Sequence, residues 1–184
     1  MERSTTIETI ETPRLVGRRL GPGHIEEVRV LLRDPLVMRT LSADGAPMPE
    51  PDIRASLDQA DDHWHRHGFG LWAFRARDDG RFVGRGGLKW YEVEGEDVVG
   101  VGYAIISPEW GRGHATEIAR ACLRVGFGRL GLEHIGCWTL PFNHASRRVM
   151  EKVGFRYLRD ADFAGLPHRI YRITRDDWRD DDES

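Results

Sequence analysis

The sequence predicts a mixed α/β (α+β) fold, one twisted sheet flanked by helices. Three observations point there. Leu71 to Arg77 and Phe82 to Trp90 read as strands on either side of Asp78-Asp79-Gly80, the pattern of an antiparallel hairpin. Val98 to Ile106 is nearly all apolar, as suits a central strand buried on both faces. Beyond it, strand and helix patterns alternate, which calls for helices packed on a sheet.

Each element follows in order. Met1 to Glu11 reads as a loose end, and Thr12 to Leu20 as a first strand broken by Gly21-Pro22-Gly23. Ile25, Val28, Leu31 and Leu32 have helical spacing up to Pro35. Asp44 to Pro51 holds three prolines and a glycine and reads as a loop. A polar helix is expected from about Ile53 to His67, stopped by Gly68. The hairpin comes next, then a turn over Glu92 to Asp97 and the apolar strand ended by Pro108. Ala115, Ile118, Ala119, Cys122 and Leu123 repeat with the spacing of an amphipathic helix, ending near Gly131. Ile135 to Leu140 reads as a strand, Asn143 to Val153 as a short helix with Gly154 as its C-cap, and Phe155 to Arg159 and His168 to Thr174 as the last strands.

Composition narrows the function. The chain has 184 residues, so one domain is expected, here 12–178, between a flexible 1–11 and an acidic tail 179–184. A chain of this length buries roughly 70% of its unfolded surface without a disulfide or metal staple. The net charge of −3 supplies no basic field for nucleic acid or anionic lipid. The longest apolar run has nine residues, Val98 to Ile106, against about 20 for a membrane span. The first eleven residues hold three glutamates and no apolar core of a secretory signal, so a cytoplasmic location is expected. Cys122 and Cys137 lie in apolar segments and read as buried thiols rather than a bridge or metal pair.

The informative stretch is Ser107 to Glu117. A buried strand runs into Gly111-Arg112-Gly113 and then into a helix. Glycines let backbone N–H groups converge, and a helix N-terminus adds unpaired donors and partial positive charge, a site for phosphate or pyrophosphate. The pattern is neither a P-loop nor a dinucleotide fingerprint, since no Gly-Lys-Ser/Thr and no third glycine follow. Taken alone, a packing loop explains it equally well. A second stretch, Asn143 to Ser146 followed by Lys152, Gly154 and Phe155, adds a polar helix start, for which capping is the simple reading.

Together the two stretches resemble the Gcn5-related N-acetyltransferases, and most closely their ribosomal-protein N-terminal (RimJ/RimL-like) branch. Trp110-Gly111-Arg112-Gly113-His114-Ala115, continuing into Thr116 and Glu117, resembles the family's acetyl-CoA motif. Asn143, Ser146, Lys152, Gly154 and Phe155 resemble its second motif. The likeness runs from about Thr12 to Trp178 and includes Gly102-Tyr103. It implies a splayed sheet in which the Val98–Ile106 and Ile135–Leu140 strands diverge around acetyl-CoA. The pantetheine arm would pair with backbone near Ile105 and Ile106, and the pyrophosphate would lie on the amides of Gly111 to Thr116. Arg112 either adds charge to the phosphates or is solvated, and Arg147-Arg148 either meets the 3′-phosphate of CoA or is solvated. Asn143 would contact the pantetheine or position the acceptor. The implied activity is acetyl transfer to a primary amine, on a peptide N-terminus or a small molecule, by direct attack in a ternary complex. No metal is implied; a homodimer is compatible with the likeness.

Acetyl transfer needs a neutral amine, a proton acceptor for it, stabilisation of the thioester oxygen and an acid for the leaving thiolate. Two departures bear on this. Many relatives carry a tyrosine seven residues after the Asn as the acid; here Met150 stands there, which leaves Ser146 as the donor. Many carry Glu two residues before the Gly-Tyr; here it is Gly100, and Glu92, Glu109 and His134 are the substitutes. These departures motivate a rival, a catalytically silent acyl-CoA-binding module. His63, Trp64, His65, Arg66 and His67 form a cluster on the polar helix, read as a solvated face or a wall of the acceptor site rather than a metal site. Trp72, Trp90 and Trp138 read as core or pocket packing.

Overall fold

A computed structural model describes residues 7–180. Eight strands form one sheet in the order β1-β2-β3-β4-β5-β6-β8-β7. They are β1 (Thr9–Glu11), β2 (Leu15–Arg19), β3 (Leu71–Ala76), β4 (Phe82–Val93), β5 (Glu96–Ile105), β6 (His134–Thr139), β7 (Arg156–Phe163) and β8 (Leu166–Thr174). The helices are α1 (Ile25–Arg33), α2 (Pro35–Met38), α3 (Glu50–His67), α4 (His114–Leu123) and α5 (His144–Lys152). All strand pairs are antiparallel except β5 with β6.

The sheet divides the core. On one face Leu88, Val101 and Ile105 pack under Ile118, Ala119 and Cys122 of α4. Leu31, Leu32, Ile53, Leu57 and Ala60 from α1 and α3 form a second cluster with Ala73. A third joins Val93, Ala161 and Ile170 to Tyr91, Trp138 and Phe163 at the β7–β8 end. Both cysteines are buried and free. No helix among the described residues is long and apolar enough to cross a membrane.

Several expectations are corrected. Residues 9–11 are not a loose end: they form β1, with Ile10 opposite Gly17. Ile7 and Ile10 are buried, and the Ile7 carbonyl accepts the indole N–H of Trp72 at 2.9 Å. Thr12, expected in the first strand, instead makes the corner before β2, its hydroxyl accepting from Leu15 N at 2.9 Å. Residues 1–6 and 181–184 lie outside the described residues. The long helix begins at Glu50 because prolines fit the first turn, where an N–H has no helical partner. The turn expected over Glu92 to Asp97 tightens to Glu94-Gly95, both at positive φ, so β4 and β5 are longer than the composition suggests. The same device at Ala164-Gly165 extends the strand expected to stop at Arg159 through Phe163. Trp72 and Trp138 pack as expected, whereas Trp90 is 42% exposed.

Candidate active site

The one parallel pair opens the site. β5 and β6 meet only at Gly100 and Gly136, then part. Gly100 is required there: a Cβ would sit 2.5 Å from the Trp138 indole. Alternation along β5 turns Ile106 toward β4, where its N–H donates to Val83 O at 3.0 Å, and turns Tyr103 and Ile105 toward the gap. This corrects the expectation for Ile106. Its N–H is used by the sheet and its carbonyl accepts from Glu109 N at 3.0 Å. Ile105 does face the gap, but its carbonyl already accepts the indole N–H of Trp110 at 2.8 Å.

On the α4 side, Gly111 (φ 76°) and Gly113 (φ 80°) take left-handed conformations that side chains resist. Gly113 is the N-cap of α4 and supplies no side-chain cap. Glu117 does not cap it either: its carboxylate accepts from the Thr12 hydroxyl at 2.5 Å, from Arg14 N at 2.9 Å and from Arg14 Nε at 2.7 Å. The first amides of α4, on His114, Ala115 and Thr116, are therefore uncapped, as an anion-binding terminus requires. Thr116 and His114 are buried. The His114 Nε2–H donates to Glu109 Oε2 at 3.1 Å, while Nδ1 is buried without a partner among the described residues. A pocket of about 580 Å³ beside the turn is lined by Arg14, Arg77, Arg81, Arg112 and His114. An open glycine turn, an uncapped helix end and an orphaned ring nitrogen fit a diphosphate-bearing donor. The arginines there are already answered: Arg14 by Glu117, Arg77 by Glu11, and Arg81 and Arg112 by Glu109. The hydrogen bond from Arg81 is the main cause that holds the Glu109 carboxyl below the usual range.

Across the gap, Asn143 caps α5, its Oδ1 accepting from Ser146 N at 3.1 Å. Ser146 Oγ lies 3.0 Å from the phenolic oxygen of Tyr103, which also donates to Ser146 O at 3.2 Å. Burial pushes the Tyr103 hydroxyl well above the ordinary tyrosine range, so it stays protonated. Sequence reasoning missed Tyr103 as a site residue. Its signal was an odd position on β5, one residue after Gly102 and on the same side as Ile105. Arg147 is held by Tyr171 (3.2 Å) and His144 (3.3 Å), and Arg148 is exposed.

None of the three expected bases reaches the open end of the gap. Glu92 is exposed near the β4–β5 turn, opposite Asp97. His134 is exposed at the start of β6, before the Gly100–Gly136 bridge. Glu109 is committed to Arg81 and His114. The histidine cluster is also corrected: His63 and Trp64 are buried. His63 bridges α3 and β4, with Nδ1–H to Phe69 O at 2.8 Å and Nε2 accepting from Trp90 N at 3.0 Å. Burial, with smaller contributions from His67, Lys89 and Arg66, pushes its pKa down to about 4. Both ring nitrogens are thus occupied. No group of three or more metal-ligating side chains is assembled among the described residues.

The family model described as an acetyltransferase (GNAT) domain matches residues 14–156. The chain is 30% identical over 190 residues to the FsC-acetyl coenzyme A-N(2)-transacetylase of Aspergillus fumigatus, covering 92% of this chain and 77% of that protein. It is 33% identical over 105 residues to YkkB of Bacillus subtilis, covering 57% of this chain and 61% of that protein, less than two thirds of its length. Among solved structures, an acetyltransferase from Agrobacterium tumefaciens is similar with a TM-score of 0.76 at 23% identity, over 94% of this chain and 98% of that one. RimL, an alpha-N-protein acetyltransferase in complex with coenzyme A, is similar at 0.70 and 17% identity, over 91% and 98%. The splayed sheet, the uncapped glycine turn and a family model spanning most of the residues lead to one conclusion: this chain belongs to the GNAT acetyltransferase family.

Proposed function

We propose that the protein is an acetyl-CoA-dependent N-acetyltransferase that acetylates a primary amine by direct attack in a ternary complex. The observation that carries this reading is a gap with an uncapped helix N-terminus at one mouth and a Tyr103–Ser146 hydroxyl pair on its wall. The name of the Aspergillus relative, a transacetylase using acetyl coenzyme A, supports the donor. The likeness to RimL supports a peptide N-terminus as one acceptor class, beside small-molecule amines.

Acetyl-CoA supplies an activated acyl group on a thiol leaving group. In this reading the amides of Gly111 to Thr116 hold its pyrophosphate, with His114 and Arg112 beside them, and Trp110 fixes the Ile105 carbonyl at the mouth. The gap-facing N–H of Ile105 is placed to stabilise the developing oxyanion. The amine nitrogen bonds to the acyl carbon, the carbon–sulfur bond breaks, and the amine proton leaves to solvent. Ser146 Oγ gives its proton to the departing sulfur and takes one back from solvent, while Tyr103, which stays protonated, holds the serine in place by its hydrogen bonds. Asn143 acts as a positioning residue, holding the first turn of α5 so that Ser146 faces the gap.

The test is acetyl-CoA-dependent release of CoA thiol, with peptides of varied N-termini, amino acids, polyamines and aminoglycosides as acceptors. Release with an amine acceptor is the expected result. Acetyl-CoA binding without release on any acceptor would support the silent-module rival instead.

A further inference from the structure

The face of the central strands opposite α4 carries an unusual pair of cations. Arg85 and Lys89 of β4 stand opposite Ala104 and Gly100 of β5, small neighbours that bring no polar side chain to either cation. Neither makes a hydrogen bond or an ion pair among the described residues. Lys89 Nζ instead lies 5.4 Å above the ring of Tyr91. The charged groups that reach Lys89 are Arg85 and Arg66, both positive, and burial with these neighbours lowers its proton affinity. Burial likewise lowers that of Arg85, which only the Tyr91 hydroxyl opposes. Of the other titratable groups near this strip, His63 is neutral and doubly bonded, His67 packs against it with ring centroids 4.5 Å apart, and His168 packs on Phe163 with its Nδ1 bonded to Leu166 O at 2.9 Å.

The strip has walls and a floor. On one side Ala104 and Ile106 pack against the α1–α3 cluster. On the other, Tyr91, Trp138 and Phe163 form an aromatic corner, with ring centroids 4.7 Å (Tyr91–Trp138), 5.1 Å (Trp138–Phe163) and 5.9 Å (Tyr91–Phe163) apart. Tyr91 and Trp138 lie over Gly100 and Gly102, where a Cβ at Gly100 would meet them at 3.2 and 2.5 Å, so the aromatic rings are the floor at the level where β5 and β6 part. Elsewhere in the sheet, Arg19 and Arg75 each meet a carboxylate, Asp61 and Glu27. A cation withdrawn from water without one is costly, and that cost is offset when a ligand brings the counter-charge.

If α4 and α5 hold the acyl donor, an amine reaching the same gap comes from the opposite face and passes Arg85 and Lys89. We infer that the acceptor is an amine that also carries a carboxylate, held by Arg85 and Lys89 with its apolar part against Tyr91, Trp138 and Phe163. The inference rests on the acetyltransferase reading and narrows it to amino-carboxylates. Polyamines and aminoglycosides bring positive charge to a positive strip and are disfavoured. The same cations favour the neutral form of an ammonium brought beside them, which matters where Gly100 offers no side-chain base.

The test uses matched pairs: glycine, β-alanine, γ-aminobutyrate, 6-aminohexanoate and L-glutamate, each beside its amide, with spermidine as the polycation. Each is titrated calorimetrically into protein saturated with CoA, and each is assayed in parallel for thiol release with acetyl-CoA. At least one acid is expected to bind tenfold or more tightly than its amide. That ratio falls at least fivefold in Arg85→Gln and in Lys89→Gln and is partly kept in Arg85→Lys, with thermal melting confirming that each variant is folded. Equal binding of acids and amides, no acid bound at 10 mM, tightest binding of spermidine, or a ratio unchanged in both Gln variants overturns the inference. The two readings fail separately. Selective acid binding without thiol release supports the anion site and counts against the enzyme. Thiol release with equal use of acid and amide does the reverse.

Discussion

The two mouths of the gap treat positive charge in opposite ways. Beside the α4 turn, Arg14, Arg77, Arg81 and Arg112 each have a carboxylate within 4 Å. On the other face, Arg85 and Lys89 have none among the described residues. What remains free on the α4 side is backbone: the amides that Gly113 leaves uncapped. The difference suggests a division of labour. In the proposed reading, backbone geometry serves the acyl donor and unpaired side-chain charge serves the acceptor.

Breaking the neutralised side has the largest expected effect. Glu117→Ala removes the carboxylate that accepts from the Thr12 hydroxyl, the Arg14 N–H and the Arg14 guanidinium together, leaving the hydroxyl only its contacts with Leu15 and the guanidinium its bond to the Arg112 carbonyl. Stability should fall by about 2–3 kcal/mol, read as the shift of a urea unfolding midpoint at constant slope. A loss below half of that would mean the arginine pairs on this mouth are as loose as surface pairs, and the contrast would fail.

The wall between the mouths comes next. Ser146→Ala and Tyr103→Phe should each lower kcat about tenfold to a hundredfold with acetyl-CoA affinity nearly unchanged, measured by thiol release and by calorimetry. If only Ser146→Ala acts, Tyr103 is a packing residue and does not position the serine hydroxyl.

Arg85→Met sharpens the contrast by its sign. Removing an unpaired, desolvated cation should stabilise the ligand-free protein by about 1 kcal/mol, whereas Arg14→Met should destabilise it. Two thermal melts against the parent decide this, and a loss of stability in Arg85→Met would mean that its charge is answered within the fold.

The effect smallest near neutrality, and growing as pH falls, is a pH dependence on the cationic face. His63 is neutral in the fold, with its pKa pushed to about 4 from an ordinary 6.5. The unfolded chain therefore binds more protons below pH 6.5. The contribution of His63 is fully present above that pH, is lost as pH falls toward 4, and changes little below it. In urea unfolding at pH 7, 5.5 and 4.5, His63→Gln should show a shallower decline than the parent. Equal slopes would mean that other groups carry the acid response.

Much of the site was legible in the sequence because its logic is local. The Gly111–Gly113 turn, the helix after it and the Asn143 cap depend on residues within a few positions of one another, and they appear where the motifs indicate. Tyr103 and Arg85 were not legible in that way. On β4, Arg85 and Lys89 share a face because strand side chains alternate, but alternation does not say what faces them. Ala104 and Gly100 do, and only the β4–β5 register supplies them. The expected bases failed for the same reason: Glu92 and His134 are near the gap strands in sequence and at their wrong ends in space.

Sequence alone determined the class of fold, the phosphate-type turn and the family, since periodicity, turn chemistry and a short motif are properties of neighbouring residues. Only the tertiary structure decided that Ser146 meets Tyr103, that His63 is a buried strut, and that four arginines are neutralised while Arg85 and Lys89 meet no carboxylate among the described residues. Whether a charge is answered depends on partners dozens of residues away, brought within 4 Å by strand register and helix packing, and no local pattern encodes that distance.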